Sequence, residues 1–507
     1  MRKFVGITIG PIYDTIMDAS SPAALWFASS MFSDITRRIC VELKGENGFA
    51  DAVIYSPYFE AEQKQTDGVG KYHDRIFFST ESDDIHRLEA LLQKVKEETV
   101  SVLGLRDEDT YAADKQFFKE YLQINYVVVE EEKLKASNCI LNISPYLDAL
   151  ELMKTFPASD IGNPIKRQFL HNMHIEKSVL FEQIEKEKNQ FVVYKNGKKR
   201  FRKIDEIAGS GVESEFKKSK YFAVVSADAD GMGRFLEKLS NEDVQLFSKC
   251  CLDYASKSAE KIDEFNGMTV YAGGDDLLFL APVEAGEKNV FDLCHEIQQV
   301  FKECIAEFAD KMSENLLPTI SFGISIQYVK FPLYEALDNA QRLLRLAKKD
   351  AAFGDNAKNK DNMVIGLQKH SGQSVLLQLG NECYDDLKTF LGITGSSTTS
   401  EQVNSIIYIL ESFRSIIHKL NQEAFAEKIT YERYETAWGN LFDNVNQQAA
   451  QGYIKAICKQ YYEVLMMNAR MMVPDVVQET GVTDTSFMAL LNILRIKKFL
   501  EEKGAEE

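Results

Sequence analysis

The sequence predicts an α+β protein with two ferredoxin-like palm domains, the second carrying a Gly-Gly-Asp-Asp motif, joined by a helical linker and followed by a helical C-terminal domain. Two stretches of the 507-residue chain share the element order strand–helix–strand–strand–helix–strand, which is typical of this fold. Each stretch opens with a buried apolar strand, and beyond residue 377 the pattern is helical. The predicted domains are a first palm at 1–134, a linker at 135–217, a catalytic palm at 218–376 and a helical domain at 377–507.

The first stretch alternates between strand and helix signals. In its second helix Leu88, Leu91 and Val95 recur at helical spacing. Its closing strand is rich in Val, Ile and Tyr, which favour strands. The predicted elements are strand Phe4–Ile9, helix Pro22–Leu43, strands Ala52–Tyr55 and Arg75–Ser79, helix Asp84–Val102 and strand Leu122–Glu130.

The second stretch repeats this order with clearer boundaries. It opens with the apolar strand Tyr221–Val225, and Ser240 with Asp243 forms a capping box at the start of the next helix. Two strand-like runs flank a tight Gly-rich turn within 268–280. The remaining predicted elements are a helix at 287–312, a strand at Thr319–Val329 and a helix at Leu333–Lys349.

The linker contains a basic segment at 195–203, with six Lys or Arg residues and no acidic residue. Its Asn196-Gly197 pair predicts a hairpin turn. Such a stretch suits an RNA backbone or a single strand, because the aromatic residues Tyr194 and Phe201 are interleaved with its cations. We favour the simpler interpretation, a solvated hairpin face.

The composition limits the classes of function. With 59 Lys and Arg against 77 Asp and Glu, the formal net charge is −18, so the chain as a whole repels phosphate backbones. No stretch approaches the roughly 18 apolar residues of a membrane span, and the N-terminus does not read as a signal peptide. The eight cysteines include no Cys-x-x-Cys pair, so we expect reduced thiols, no zinc site and a cytoplasmic protein.

The sharpest local signal is Gly273-Gly274-Asp275-Asp276 at the predicted hairpin turn. Glycines permit a tight turn and leave room for a phosphate near the backbone. Alone, such a tetrapeptide is most often only a hydrophilic turn.

A second acidic cluster makes the motif more specific. Strand 221–225 leads into Asp228 and Asp230, which share one strand face. Asp275 follows Asp228 by 47 residues, which leaves room for one crossover helix between adjacent central strands of a palm. The two clusters are therefore expected to converge at one edge of the sheet. Clustered carboxylates repel one another and are stabilised by Mg²⁺ or Mn²⁺, and two such ions can activate a hydroxyl and stabilise leaving pyrophosphate.

Lys348 is the candidate cation for a triphosphate. It lies beside the apolar stripe of the predicted helix Leu333–Lys349 and near the helix end, so it can reach inward as a point charge. A solvated lysine that complements the helix dipole explains the position equally well on periodicity alone.

Together these motifs resemble a known family, the polymerase/cyclase-like large subunit of type III CRISPR effector complexes. The matching residues are the motif at 273–276, Asp-x-Asp-Gly-Met-Gly at 228–233 and Ala-Leu-x-x-Ala-x-x-Leu-Leu-x-x-Ala-Lys at 336–348. The segments 6–13 and 68–75 are similar to the first palm of the Cmr-type (III-B) branch. The resemblance covers most of residues 1–376, and the helical C-terminal part matches in kind only.

The resemblance implies a subunit that binds ATP between two palms and makes cyclic oligoadenylate when its complex captures target RNA. Some relatives instead join AMP to a small acceptor such as S-adenosylmethionine. The implied partners are other Cmr-type subunits, with guide and target RNA held mainly through the complex. The implied catalytic and metal-binding residues are Asp228, Asp275 and Asp276, with the Ala229 carbonyl as a further metal ligand. The implied nucleotide-binding residues are Gly231, Gly233, Gly273, Gly274 and Lys348.

This chain is expected to depart from the family pattern in two respects: it lacks an N-terminal HD nuclease domain, and it lacks the cysteines for a zinc site near the second palm. The palm begins at residue 4, and the only His-Asp dipeptide, His73-Asp74, lies inside the first palm, so we expect no HD nuclease domain. The first palm has Gly10-Pro11 after its first strand and no paired Asp at its hairpin, which suggests a degenerate half. Two alternatives stay open, a stand-alone nucleotide cyclase of the Gly-Gly-Asp-Glu-Phe superfamily and a catalytically silent scaffold.

Overall fold

The structure of this chain is a computed structural model. The residues that it describes are 2–46, 48–60, 68–102, 111–153, 175–176, 178–182, 184, 190–195, 198–210, 213, 216–349, 360–393, 400–442, 448–465, 471–472 and 482–502.

The first palm is a four-stranded antiparallel sheet with the strand order β2–β3–β1–β4, which is the ferredoxin-like order predicted for it. Two helices of this palm were not predicted, α1 (Ile12–Met17) and α4 (Tyr111–Tyr121). The elements are β1 (Lys3–Gly10), α1 (Ile12–Met17), α2 (Pro22–Lys44), β2 (Val53–Ser56), β3 (Arg75–Thr80), α3 (His86–Val102), α4 (Tyr111–Tyr121) and β4 (Gln123–Glu130).

The linker packs against the first palm and carries the predicted basic hairpin. Its two strands pair antiparallel, and the Asn196-Gly197 turn itself lies outside the described residues. The elements are α5 (Cys139–Glu151), α6 (Val179–Glu182), β5 (Val192–Lys195), β6 (Lys198–Phe201) and α7 (Ile204–Ala208).

Three cations of the hairpin have partners within the chain. The Lys199 ammonium donates to the carbonyl oxygens of Phe181 and Ile184 at 2.9 and 3.0 Å. Arg200 pairs with Glu206, and Arg202 donates to the Gly267 carbonyl oxygen at 3.1 Å. These contacts give the basic residues a structural role, whereas RNA binding by this hairpin stays a hypothesis.

The second palm forms part of a seven-stranded sheet with the order β15–β14–β13–β12–β7–β9–β8. Its last four strands in this order, β12–β7–β9–β8, have the same ferredoxin-like arrangement as the first palm. The elements up to the end of the palm are β7 (Tyr221–Asp230), α8 (Met232–Leu236), α9 (Asn241–Glu264), β8 (Met268–Gly273), β9 (Asp276–Pro282), β10 (Glu284–Ala285), β11 (Lys288–Asn289), α10 (Val290–Ile305), β12 (Thr319–Tyr328) and α11 (Leu333–Ala347).

The chain beyond the second palm is mainly helical, as predicted, but it also adds three strands to the sheet. Strand β13 pairs parallel to β12, and β14 then pairs antiparallel to β13. The elements are β13 (Asn362–Gln368), β14 (Ser374–Gly380), α12 (Tyr384–Gly392), α13 (Ser400–Ser412), α14 (Arg414–Phe425), α15 (Tyr431–Leu441), α16 (Gln448–Gln460), β15 (Met471–Met472) and α17 (Val482–Glu501). Among the described helices, none has the length and apolar character that crossing a membrane requires.

The helix α11 lies directly on the sheet because β12 has a glycine where the two touch. A Cβ on Gly323 would come within 2.3 Å of the Ala340 carbonyl oxygen and the Leu344 amide nitrogen, both backbone atoms of α11. No side chain can be accommodated there unless the helix moves away from the strand. Gly323 therefore sets the height of α11, which carries Lys348 at its end, above the sheet.

Replacing Gly323 by valine is expected to lower the free energy of unfolding by about 1–3 kcal/mol, because α11 must lift from β12. Urea unfolding followed by circular dichroism measures this loss. A matched control is Gly439→Ala in α15, where a Cβ meets no atom within 4 Å; there alanine should stabilise the helix by up to about 1 kcal/mol. Equal effects of the two substitutions would contradict the close approach at Gly323.

Candidate functional site

The Gly-Gly-Asp-Asp motif forms a tight turn between β8 and β9. Gly273 ends β8 and pairs with Asp276, the first residue of β9, so Gly274 and Asp275 occupy the turn. Gly274 has a φ of 67°, a left-handed conformation that residues with a Cβ rarely adopt. The predicted hairpin is thus confirmed, and its two carboxylates stand at the tip.

The strand β7 brings Asp228 beside this turn. It runs on beyond the predicted end at Val225 as far as Asp230 and pairs with β9, where Ala227 lies opposite Leu277. One step further along this antiparallel register, Asp228 stands opposite Asp276. The prediction that the two acidic clusters lie on adjacent strands is therefore confirmed.

Lys348 meets Asp228 at the same point. It follows the last residue of α11, and its ammonium group forms an ion pair with the Asp228 carboxylate. The ammonium also donates a hydrogen bond of 2.9 Å to the Ala229 carbonyl oxygen. Burial, together with the charge of Lys360, lowers the pKa of Lys348 to about 8. Of the two interpretations left open by the sequence, the inward-reaching lysine is the one that the contacts support.

These contacts also test whether the predicted ligands suit a metal ion. Asp228 and the Ala229 carbonyl converge on a single cation, the Lys348 ammonium, so two oxygens of the predicted set are already arranged around one positive charge. Within the described ranges, no three His, Cys, Asp or Glu side chains gather in a geometry that could hold a metal. Mg²⁺ commonly binds through one or two carboxylates and completes its shell with substrate phosphates and water. Asp228 and the Ala229 carbonyl therefore offer oxygen ligands of the kind that such an ion uses.

The two carboxyl groups of the turn have raised pKa values. Asp275 and Asp276 lie close to the first palm, whose Asp74 is near enough to affect the pKa of Asp276. Withdrawal from water raises the pKa of Asp275. Withdrawal from water, followed by the charges of Asp275 and Asp74, raises the pKa of Asp276 well above its ordinary value. A nearby cation would relieve this repulsion.

The two remaining glycines of the prediction lie just beyond β7. Gly231 precedes the short helix α8 and has a φ of 77°, and Gly233 lies inside that helix. A Cβ on Gly233 would meet no atom within 4 Å. Both are thus near Asp228 in the chain, and their contact with a nucleotide stays a prediction.

The first palm contributes residues to this site that the sequence analysis missed. Its Gly70 carbonyl accepts a hydrogen bond of 3.0 Å from the amide of Ala272 in β8. The His73 ring lies 3.7 Å from where a Cβ on Gly274 would be. The neighbouring Asp74 is close enough to raise the pKa of Asp276. The dipeptide His73-Asp74, which the sequence analysis considered only as a nuclease motif, therefore faces the Gly-Gly-Asp-Asp turn.

Asp74 also lines a cleft of about 180 Å³ at the end of β1. Glu151 lines the same cleft, where it accepts a hydrogen bond from Thr8 at 2.5 Å and pairs with Arg75. Burial, and then the Glu151 charge, raise the pKa of Asp74 to about 6. The cleft thus has an acidic lining, and one lining residue, Asp74, also affects the pKa of Asp276 in the predicted catalytic turn. The sequence could have indicated Asp74 as a candidate site residue, because Asp74 directly precedes β3 just as Asp275 directly precedes β9.

Comparison with known proteins defines the class of the second palm. Residues 221–360 match a family model described as Cas10/Cmr2, second palm domain. The predicted resemblance to the large subunit of type III CRISPR effector complexes is thereby confirmed, whereas the predicted lack of an HD domain stays a prediction.

One curated relative is similar to part of this chain. The CRISPR system Cmr subunit Cmr2 of Pyrococcus furiosus is 26% identical to this chain over 191 residues, which cover 32% of this chain and 20% of the relative. The matched segment therefore spans only a fifth of that relative's length.

Two solved structures share the overall fold. A chain of the cryo-EM structure of type III-B Cmr-beta in the apo state matches with a TM-score of 0.57 at 11% identity, covering 98% of this chain and 82% of that chain. A chain of the Csm1–Csm4 cassette crystallised with pppApA matches with a TM-score of 0.51 at 12% identity, covering 98% of this chain and 69% of that chain. At such low identity these matches show the fold alone.

Proposed function

We propose that this chain is a metal-dependent nucleotidyltransferase that uses ATP to make a nucleotide second messenger. In this proposal it acts in a cytoplasmic type III-B CRISPR complex when that complex recognises target RNA. The product is cyclic oligoadenylate, or AMP joined to a small acceptor such as S-adenosylmethionine. The observation that carries the proposal is the meeting of Asp228, the Ala229 carbonyl and Lys348 beside the Asp275–Asp276 turn.

Each residue has a defined part in this proposal. Asp228, the Ala229 carbonyl, Asp275 and Asp276 would hold Mg²⁺ or Mn²⁺, which when bound lowers the pKa of a hydroxyl nucleophile and neutralises leaving pyrophosphate. Lys348 supplies a point charge for the triphosphate. The turn at Gly273 and Gly274 offers backbone without side chains along the phosphate path.

The proposed partners follow from the family. The Pyrococcus furiosus relative is a Cmr subunit, and one of the similar structures is a Csm1–Csm4 cassette. Both support assembly with other effector subunits. Because the net charge is −18, we propose that the partners hold most of the guide and target RNA.

One assay separates this proposal from its rivals. The protein is incubated with labelled ATP and Mg²⁺ or Mn²⁺, alone and assembled with Cmr-type subunits, guide RNA and target RNA, with and without S-adenosylmethionine. Product that requires target RNA supports the proposal. Product made equally well by the protein alone identifies a stand-alone cyclase, and no product under any condition identifies a scaffold.

The acidic cleft of the first palm favours the conjugate as the product. Asp14, Asp74 and Glu151 line it, and Arg75 pairs with Glu151. The carboxylates that remain would attract an acceptor that carries positive charge, as a sulfonium and an ammonium do. An oligoadenylate chain carries negative phosphates, which such a lining repels.

Replacing Asp74 by asparagine is therefore expected to raise the KM for a cationic acceptor about tenfold, since one charge contact in a partly buried site is lost. Product analysis by mass spectrometry at varied acceptor concentration measures this effect. Asp84→Asn, in an exposed position outside the cleft, serves as the control and should leave the KM unchanged. An unchanged KM in the Asp74 variant would rule out this cleft as the acceptor site.

A further inference from the structure

A buried carboxylate outside the predicted catalytic set ends β7. Asp230 is only 4% exposed, and its Oδ2 accepts hydrogen bonds from the Ser321 hydroxyl at 2.6 Å and the Asp361 amide at 3.0 Å. Its other oxygen, Oδ1, has no partner among the described residues. Burying a carboxylate costs free energy, which the hydrogen bonds that it accepts offset. The bond from the Asp361 amide therefore connects the end of β7 to the segment that enters β13.

Asp361 is held in an unusual backbone conformation at the entry to β13. Its φ is 67°, which costs free energy for a residue other than glycine. Its Oδ1 accepts hydrogen bonds from the side-chain amides of Asn381 at 2.8 Å and Gln298 at 3.0 Å. Together with the bond to Asp230, these contacts fix the turn at Asp361 from three sides.

The next residue, Asn362, connects this turn to α11. It is 1% exposed, and its side-chain amide donates to the Ala347 carbonyl oxygen at 2.8 Å. Ala347 is the last residue of α11, so this bond satisfies one of the carbonyl groups that a helix C-terminus leaves without a partner. Lys348 follows directly, and its ammonium returns to β7 at Asp228 and Ala229.

We propose that Asn362 and Asp230 are positioning residues that hold Lys348 over the catalytic carboxylates. They belong to a closed series of contacts, which we call the circuit. Asp230 of β7 binds the turn at Asp361, and Asn362 of the turn binds the end of α11. Lys348, which follows α11, contacts β7 again. A lysine side chain has a long flexible stem, so its ammonium stays in place only if its backbone is fixed as well. This inference rests on the function proposed above for Lys348.

The first test does not depend on enzymatic activity. The rate at which Lys348 reacts with an amine-acylating reagent is measured by mass spectrometry in the full-length protein without nucleotide. Asn362→Ala should raise this rate about tenfold, the factor that one hydrogen bond of ordinary strength is worth. The matched control is Asn492→Ala, which removes a similar buried bond of 2.8 Å to the Leu376 carbonyl of the same sheet. Equal Lys348 reactivity in the wild type and the Asn362 variant would overturn the proposal.

Asp230→Asn provides a second variant, because it keeps the shape of the side chain. A thermal melt establishes that each variant is folded before labelling. If both Asn362→Ala and Asp230→Asn raise Lys348 reactivity and the Asn492 variant does not, the circuit is confirmed. If all three raise it equally, the effect is general loosening of the sheet and the proposal fails.

The second test is a double-mutant cycle on the KM for ATP in the assembled complex. Asn362→Ala alone should raise the KM about tenfold, but it should add almost nothing in a Lys348→Met background, because the two residues act through one contact. Independent, multiplying effects would contradict the positioning role. A wild-type complex without any ATP turnover would contradict the proposed function instead. The labelling test would still show whether Asn362 and Asp230 position Lys348.

Discussion

Replacing Asp275 and Asp276 together by asparagine should lower the rate of ATP turnover by about a thousandfold, a loss like that from removing preorganised charge at a reacting centre. The carboxylates stand at the tip of the β8–β9 turn, and β7 places Asp228 opposite Asp276. Asparagine keeps the size of each side chain but removes the negative charge that a metal–nucleotide complex requires. Product formation is measured with labelled ATP in the assembled complex.

The same substitution should not destabilise the protein. The folded state raises the pKa of both carboxyl groups above the ordinary value of 3.8, so their ionisation favours the unfolded chain. This penalty is absent below the ordinary pKa and grows as the pH rises toward the pKa values of the folded state. The variant should therefore melt at the same or a higher temperature than the wild type at neutral pH. It should also lose less stability than the wild type as the pH rises from about 4.

The control for this prediction is Asp253→Asn on α9, which removes an exposed carboxylate of the same palm and should leave turnover unchanged. Full activity of the double variant would show that the site assignment is wrong. A large drop in its melting temperature would show that the carboxylates serve the fold, which their raised pKa values argue against.

Replacing Lys348 by methionine should raise the KM for ATP by about a hundredfold, within the range expected when a charged hydrogen-bonding group is lost. Methionine keeps an unbranched apolar stem in place of the lysine stem, so α11 should remain packed on the sheet. The lost ammonium now contacts Asp228 and the Ala229 carbonyl, and in the proposed mechanism it contacts the triphosphate. Steady-state kinetics at varied ATP concentration measures the change.

The neighbouring Lys349 is the matched control, because it carries the same charge in an exposed position. Lys349→Met should leave the KM within experimental error of the wild type. If the two variants behave alike, Lys348 contributes only to the general charge of the helix end, which is the alternative that the sequence left open.

The sequence by itself determined the two palms and the core of the candidate site. Continuous apolar runs such as Tyr221–Val225 and glycines at a turn such as Gly274 are local features, and local chemistry decides strands and turns. Those features predicted the Gly-Gly-Asp-Asp hairpin and the strand that carries Asp228. The known strand order of the fold predicted that the two are adjacent. For the same reason the helical character beyond residue 377 could be predicted.

Only the tertiary structure decided how distant residues meet. Asp74 and Asp276 lie in different palms, and no periodicity in the sequence records that the two palms face each other at this turn. The inward direction of Lys348 and its link through Asn362 likewise depend on how closely α11 approaches the sheet at Gly323. Such contacts arise from packing between elements far apart in the chain, so the sequence could list the candidates but could not bring them together.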